Sequence, residues 1–164
     1  MKHVRLNTNG EIALIELDME GKKVNVLSSE LLSEFKQVLG QIKADAQGPK
    51  KYKALLVVSK KNKAFVAGAN IDEIKAFKTK EDFDKAISEG QKIFNDLEDL
   101  PLPTIAVING TCLGGGTELT LACDYRIASE EAKIGLPEVN LGIFPGFGGC
   151  VRAPKLLGLP NALD

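Results

Sequence analysis

The chain contains no tryptophan, one histidine and three cysteines among 164 residues, and these shortages exclude a good deal of chemistry. The single histidine is His3, beside the first residue, so a Ser-His-Asp triad, a Cys-His pair or a histidine-rich metal centre is hard to assemble. Cys112, Cys123 and Cys150 form an odd set without C-x-x-C spacing, which argues against a disulfide framework and a zinc site; they read as reduced, mostly buried thiols. An excess of one charge is also missing. Lys and Arg number 21 against 22 Asp and Glu, and aromatics make up only 5%, so there is neither a basic field nor a row of stacking platforms for nucleic acid. No apolar stretch is long enough to span a bilayer, and Met1-Lys2-His3-Val4-Arg5 runs straight into alternating residues without the apolar core of a signal peptide; a cytoplasmic location is the expectation. The chemistry left to this chain is that of carboxylates and main-chain amides.

Those groups meet in Leu113-Gly114-Gly115-Gly116-Thr117-Glu118. Three glycines let a ligand approach the backbone, and a helix starting here offers unpaired N–H donors with a partial positive charge to a developing oxyanion. Glu118 follows Gly115 by three residues, which sets its carboxylate on the face of that exposed amide. Ala64-Phe65-Val66-Ala67-Gly68-Ala69-Asn70 leaves further amides accessible beside a second helix start and could supply another donor. Gly135-Leu136-Pro137-Glu138 carries a second carboxylate on a proline-stiffened segment. Taken singly, the glycines could serve close packing, Glu118 could be a solvated first-turn residue and Glu138 an ordinary surface carboxylate.

A hydrophobic fraction of 44% and the length suit one domain over residues 1–164 with its own core. Val4 to Leu6 and Ile12 to Leu17 flank Asn9-Gly10, a hairpin signal. From Ser28 or Ser29 as N-cap, Leu31, Leu32, Phe35, Val38, Leu39 and Ile42 keep helical spacing until Gly48-Pro49. Leu55-Leu56-Val57-Val58 reads as a strand covered on both faces. A second amphipathic helix begins at Thr79, with Asp82 at capping-box distance, and carries Phe83, Ala86, Ile87, Ile93, Phe94 and Leu97 toward Pro101. Thr104–Ile108 is another buried strand, leading through Asn109-Gly110 to the glycine run, and Phe144-Pro145-Gly146-Phe147-Gly148-Gly149 opens the last helix. Strand alternating with helix implies layered α/β architecture with right-handed crossovers.

The segments FVAGANI, NGTCLGGGTELTLACDYRIA, IGLPEVNLGIFPGFGG and VRAPKLLG, in this order and across nearly the whole chain, resemble the crotonase (enoyl-CoA hydratase/isomerase) superfamily. Within it, IFNDLEDLPLPTIAVING and GIFPGFGGCVRAPKLLG are most similar to the N-terminal hydratase domains of multifunctional fatty-acid oxidation complex alpha subunits. The resemblance implies an α/β ββα spiral of layered sheets and flanking helices. It implies that the N–H groups of Ala69 and Gly115 form the hole for a thioester oxygen. The family's paired glutamates fall on Glu118, acting mainly as base toward the added water, and Glu138, the acid delivering a proton to Cα. Val26, with Ala67, Gly68, Ile71 and Gly114, falls on the positions that contact the CoA-bearing substrate.

Water addition to trans-2-enoyl-CoA, giving 3-hydroxyacyl-CoA in fatty-acid β-oxidation, is the activity so implied; double-bond isomerisation and a non-catalytic acyl-CoA binding fragment stay open beside it. CoA enters as part of the substrate, and neither a metal nor a redox cofactor is expected. By the same resemblance, crotonases continue past this point into helices that cover the acyl pocket and build a homotrimer, or its substitute in a complex with a thiolase subunit. The expectation is therefore a domain lacking its C-terminal helices. Lys60, Lys61 and Lys63 could meet CoA phosphates or form a solvated loop. Asn70 replaces the family's usual aspartate and can cap the following helix as aspartate would.

Overall fold

The computed structural model describes residues 1–46 and 52–163. The alternating N-terminal segment forms an antiparallel pair, β1 (Val4–Asn9) and β2 (Ile12–Leu17). Asn9 pairs with Ile12, so the two-residue loop is Gly10-Glu11 and not Asn9-Gly10. The reason is conformational: Gly10, at φ 59°, takes the left-handed first position of the turn and leaves Asn9 in the ladder. The helix that follows, α1 (Ser29–Ala46), is capped by Ser28, whose Oγ accepts the Leu31 N–H at 3.2 Å. Leu31, Phe35, Val38, Leu39 and Ile42 are buried along one stripe. The stop expected at Gly48-Pro49 lies outside the described residues.

Strands β3 (Ala54–Ser59), β5 (Thr104–Ile108) and β7 (Tyr125–Ala128) add in parallel to β2, giving a five-stranded sheet of order β1-β2-β3-β5-β7. β3 is not sealed equally on both faces: Leu55 and Val57 are buried, while Leu56 and Val58 are half-buried. Three short strands that the sequence reading treats as loop, β4 (Ala64–Ala67), β6 (Thr111–Leu113) and β8 (Ile134–Gly135), form a second parallel sheet of order β4-β6-β8. Their brevity and small side chains conceal them in sequence; pairing partners more than twenty residues apart define them.

The core packs α1 and α3 (Lys80–Glu98) on the large sheet, with Phe35, Phe65 and Phe94 fully buried, each contributing about 1.5–3 kcal/mol by burial. Thr79 and Asp82 form the expected capping box on α3. The first turns of α3 stand off the core, contrary to the full stripe expected: Phe83 is 39% exposed and stacks edge-on with Phe77 at 5.0 Å. Short helices complete the chain: α2 (Ile71–Ala76), capped by Asn70, whose side chain accepts from Asp72; α4 (Gly115–Leu121); and a 3₁₀ turn, Pro137–Leu141. The expected last helix is two, α5 (Gly149–Leu157) and α6 (Leu159–Leu163), separated at Gly158, which adopts φ 77°.

Candidate active site

Parallel pairing of β4 with β6 sets Ala67 beside Leu113, and this register brings the two amide-rich loops together at the ends of their strands. Gly114, at φ 53° and ψ −124°, turns the chain from β6 into α4, so Gly115 becomes a first helical residue. Ala69 is held by a parallel bridge to Leu27: Leu27 N–H donates to Gly68 O at 2.9 Å and Asn70 N–H to Leu27 O at 3.0 Å. That pattern turns the Ala69 N–H away from Leu27. Neither Ala69 N–H nor Gly115 N–H has a main-chain acceptor among the described residues, and a Cβ on Gly115 would sit 3.7 Å from Ala69 N. The two donors are therefore neighbours.

Close approach makes this possible. A Cβ on Gly116 would lie 2.3 Å from Val66 O, so only glycine lets α4 rest on β4. Asn25, fully buried, ties the neighbouring loop down: its Oδ1 accepts from Met19 N–H, its Nδ2 reaches Leu17 O, Ser59 Oγ and Phe65 O, and its carbonyl accepts from Ala67 N–H. The Thr117 hydroxyl lies 2.9 Å from Cys112 O and 2.8 Å from Gly135 O, stitching α4 to β6 and β8.

Glu118 is 2% exposed and Glu138 8%, neither the solvated surface group that each would be in isolation. Glu118 Oε1 accepts two main-chain N–H bonds, from Phe147 at 2.7 Å and Gly149 at 2.8 Å. Burial raises its pKa; the Gly149 and Phe147 amides oppose that, the Glu138 charge adds to it and the Arg152 charge opposes it, leaving it above the ordinary carboxylate value. Glu138 Oε1 lies against Gly114, 2.9 Å from where a Cβ there would be, and its Oε2 is buried with no partner among the described residues. Its pKa is raised by burial, opposed only by its own amide. Two buried carboxylates thus act on each other through their charges, but Glu118 accepts from two distant amides while Glu138 has only its own. Such a pair can hold one ionised and one protonated member at once.

Of the other residues singled out in sequence, Val26, Ala67 and Gly68 are half-buried around the Leu27–Ala69 bridge, Gly114 is buried at the turn, and Ile71 opens α2 at 44% exposure. Lys60 and Lys63 are exposed and ion-paired, with Glu16 at 3.6 Å and Glu131 at 2.9 Å, as the solvated-loop reading has it; Lys61 departs from it, since its side chain is largely buried, pairing with Asp18 at 2.7 Å and donating to Met19 O at 2.7 Å. The roles of Phe147 and Gly149 beside Glu118, and of Leu27 over Gly115, escaped sequence reasoning. The first two bind Glu118 from about thirty residues away, and Leu27 Cδ1 covers Gly115, 2.8 Å from a Cβ there. Cys112 and Cys123 are buried free thiols, and Cys150 is an exposed one. No described helix is long and apolar enough to cross a membrane.

Comparison with known proteins matches residues 7–163 to the family model described as enoyl-CoA hydratase/isomerase. The chain is 46% identical over 155 residues to the fatty acid oxidation complex subunit alpha of Shewanella halifaxensis, covering 93% of this chain and 21% of that protein. It is 48% identical over 158 residues to the subunit of the same name from Pseudomonas entomophila, covering 94% and 21%. The chain thus spans about a fifth of the length of these curated relatives. Among solved structures, the enoyl-CoA hydratase of Bacillus anthracis superposes with a TM-score of 0.88 at 38% identity, over 98% of this chain and 60% of that one. The layered sheets and flanking helices described above are the architecture of that neighbour.

Proposed function

The chain belongs to the enoyl-CoA hydratase/isomerase family, and from that premise we propose that it adds water to the double bond of a trans-2-enoyl-CoA, giving a 3-hydroxyacyl-CoA. The observation that carries this reading is the unequal environment of two buried carboxylates beside two amides that have no main-chain acceptor among the described residues. In the reaction the thioester oxygen accepts from Ala69 N–H and Gly115 N–H. Glu118, whose two amide bonds favour the carboxylate, takes a proton from water as its oxygen bonds to C3. The π pair moves into the C2–C1–O system as an enolate, and Glu138, whose unpartnered oxygen favours the acid, delivers a proton to C2. Proton exchange between the carboxyl groups restores both. Each oxyanion donor contributes about 3–4 kcal/mol to the enolate-like transition state.

Isomerisation of a 3-enoyl-CoA needs no added water and often runs with a single acid/base group, so the buried pair favours hydration. The Shewanella and Pseudomonas relatives, by name subunits of a fatty acid oxidation complex, support fatty-acid β-oxidation as the setting. The test follows loss of the enoyl-thioester absorbance of crotonyl-CoA with this chain and with Glu118→Gln and Glu138→Gln. Hydration that collapses by roughly a hundredfold or more in both variants is the expected result. Turnover of 3-enoyl-CoA alone, or thioester binding without turnover at high enzyme concentration, would replace hydration by the isomerase or the binding reading.

A further inference from the structure

The two amides that hold Glu118 are themselves held, and from an unexpected side. One face of α3 presents Gly90, Gln91, Phe94, Asn95 and Glu98 to the segment that enters α5. Gln91 Nε2 donates to Gly146 O at 2.8 Å. The Phe147 ring sits edge-on to Phe94, centroids 5.5 Å apart, over Gly90, where a Cβ would come within 2.3 Å of it. Arg152 completes the contact. Its Nη2 donates to Asn95 Oδ1 at 2.7 Å and to Glu98 Oε2 at 2.6 Å, its Nε to Glu98 Oε2 at 2.9 Å, and its Nη1 turns back to Phe147 O at 3.0 Å. The Arg152 side chain is only 11% exposed, and Nη1 occupies the space a Cβ on Gly148 would need. The peptide groups flanking Phe147 are thereby fixed at both ends: the carbonyl by Arg152, the N–H by Glu118.

We propose that Arg152 is a positioning residue for catalysis, clamping the Phe147–Gly149 segment to α3 so that its two amides stay aimed at Glu118. The proposal rests on Glu118 being the base. A planar guanidinium serves this clamp because it donates in two directions at once, to α3 and to the Phe147 carbonyl; a lysine reaches one of them. Lost alignment of the amides removes what favours the ionised Glu118, so the base titrates higher and the acid limb of the rate profile moves to higher pH. The charged groups bearing on Glu118 are Glu138 from the 3₁₀ turn and Arg152 from α5, the latter paired with Glu98 of α3.

The experiment compares the wild type with Arg152→Gln and Arg152→Lys by steady-state hydration against pH and by the ¹⁵N–¹H signals of Phe147 and Gly149 through the same titration. Arg152→Gln is expected to lower kcat on the order of 10- to 100-fold with little change in KM, to shift the acid limb upward, and to weaken the response of both amide signals to Glu118 titration. Arg152→Lys is expected to fall between the two. A folded Arg152→Gln that melts lower but keeps the wild-type acid limb and amide titration would overturn the proposal, leaving Arg152 a packing residue. Should Arg152→Gln not fold, Asn95→Ala and Glu98→Gln loosen the fork from α3 with Arg152 in place, and an unmoved acid limb in both overturns it equally. Glu118→Gln with intact turnover would bring down the base assignment instead, while the amide signals across the Arg152 variants still report on the clamp.

Discussion

Gly116→Ala puts the seating of α4 on β4 to the test. A Cβ there would stand 2.3 Å from Val66 O, 2.8 Å from Val66 Cβ and 3.0 Å from Val66 C, all parts of a buried strand with no flexible end to yield. Ordinary contact lies near ~3.5 Å, so helix and strand must separate by about 1 Å. Overpacking of this kind costs about 1–3 kcal/mol, and for a chain of this size each kcal/mol lowers Tm by about 2–4 °C, giving a loss of about 2–12 °C. The catalytic effect is larger, because the same displacement parts Gly115 N–H from Ala69 N–H; about 1 Å of misplacement is worth on the order of a hundredfold in rate. Gly40→Ala is the matched control. Gly40 is exposed within α1, has nothing within 4 Å of where a Cβ would stand and no positive φ, so alanine there stabilises by about 0.4–1 kcal/mol through helix propensity and leaves turnover alone. Thermal melts followed by circular dichroism, with crotonyl-CoA hydration on the same samples, read both effects. A Gly116→Ala protein that melts with the wild type and hydrates within about twofold of it refutes the close-approach reasoning.

Glu138→Gln is expected to abolish hydration yet raise stability at pH 8 by about 1–2 kcal/mol, since it exchanges a carboxylate whose charged form burial penalises for a neutral amide of the same shape. The sign follows from a folded-state pKa raised by burial: protonation favours the folded state, so the native Glu138 costs stability only once pH rises past the ordinary carboxylate value, and the gain on substitution should vanish near pH 4 in paired melts. Glu34 runs the other way. Its buried carboxylate accepts the N–H groups of Lys2, His3 and Val4 at 2.7, 2.8 and 2.9 Å; burial alone would raise its pKa, but the three amides outweigh it and hold it below the ordinary value. Its contribution is present above the unfolded carboxylate pKa and is lost as pH falls through the folded one, so Glu34→Ala should cost about 3 kcal/mol in urea melts at pH 7 and far less in strong acid. Alkylation with iodoacetamide should label Cys150 alone in the native protein, because burial pushes the Cys112 thiol to about 11 and the Cys123 thiol to about 12; rapid native labelling of either by mass spectrometry would contradict their enclosure.

Local signals carried the larger elements. The α1 stripe and the Thr79–Asp82 capping box depend on neighbours three or four residues apart, and both are where spacing put them. The small sheet escaped because β4, β6 and β8 are defined by partners across the chain, not by alternation within two to four residues. Glu118 and Glu138 were singled out by residue type and by family motifs, and their division into base and acid came with the resemblance; the environments that set them apart were not legible, since they arise from amides about thirty residues away and from an oxygen with no partner among the described residues. A greater separation, 57 and 54 residues, hid the role of Arg152, whose partners Asn95 and Glu98 look like solvated positions of an amphipathic helix.

The most direct measurement is made in ¹⁸O-labelled water, following the mass of the product from crotonyl-CoA with the wild type and with Glu118→Gln and Glu138→Gln. One labelled oxygen in each 3-hydroxyacyl product of the wild type, with incorporation near background in both variants, is the result expected of two-carboxylate hydration. A product that carries no label, or incorporation undiminished in either variant, contradicts it.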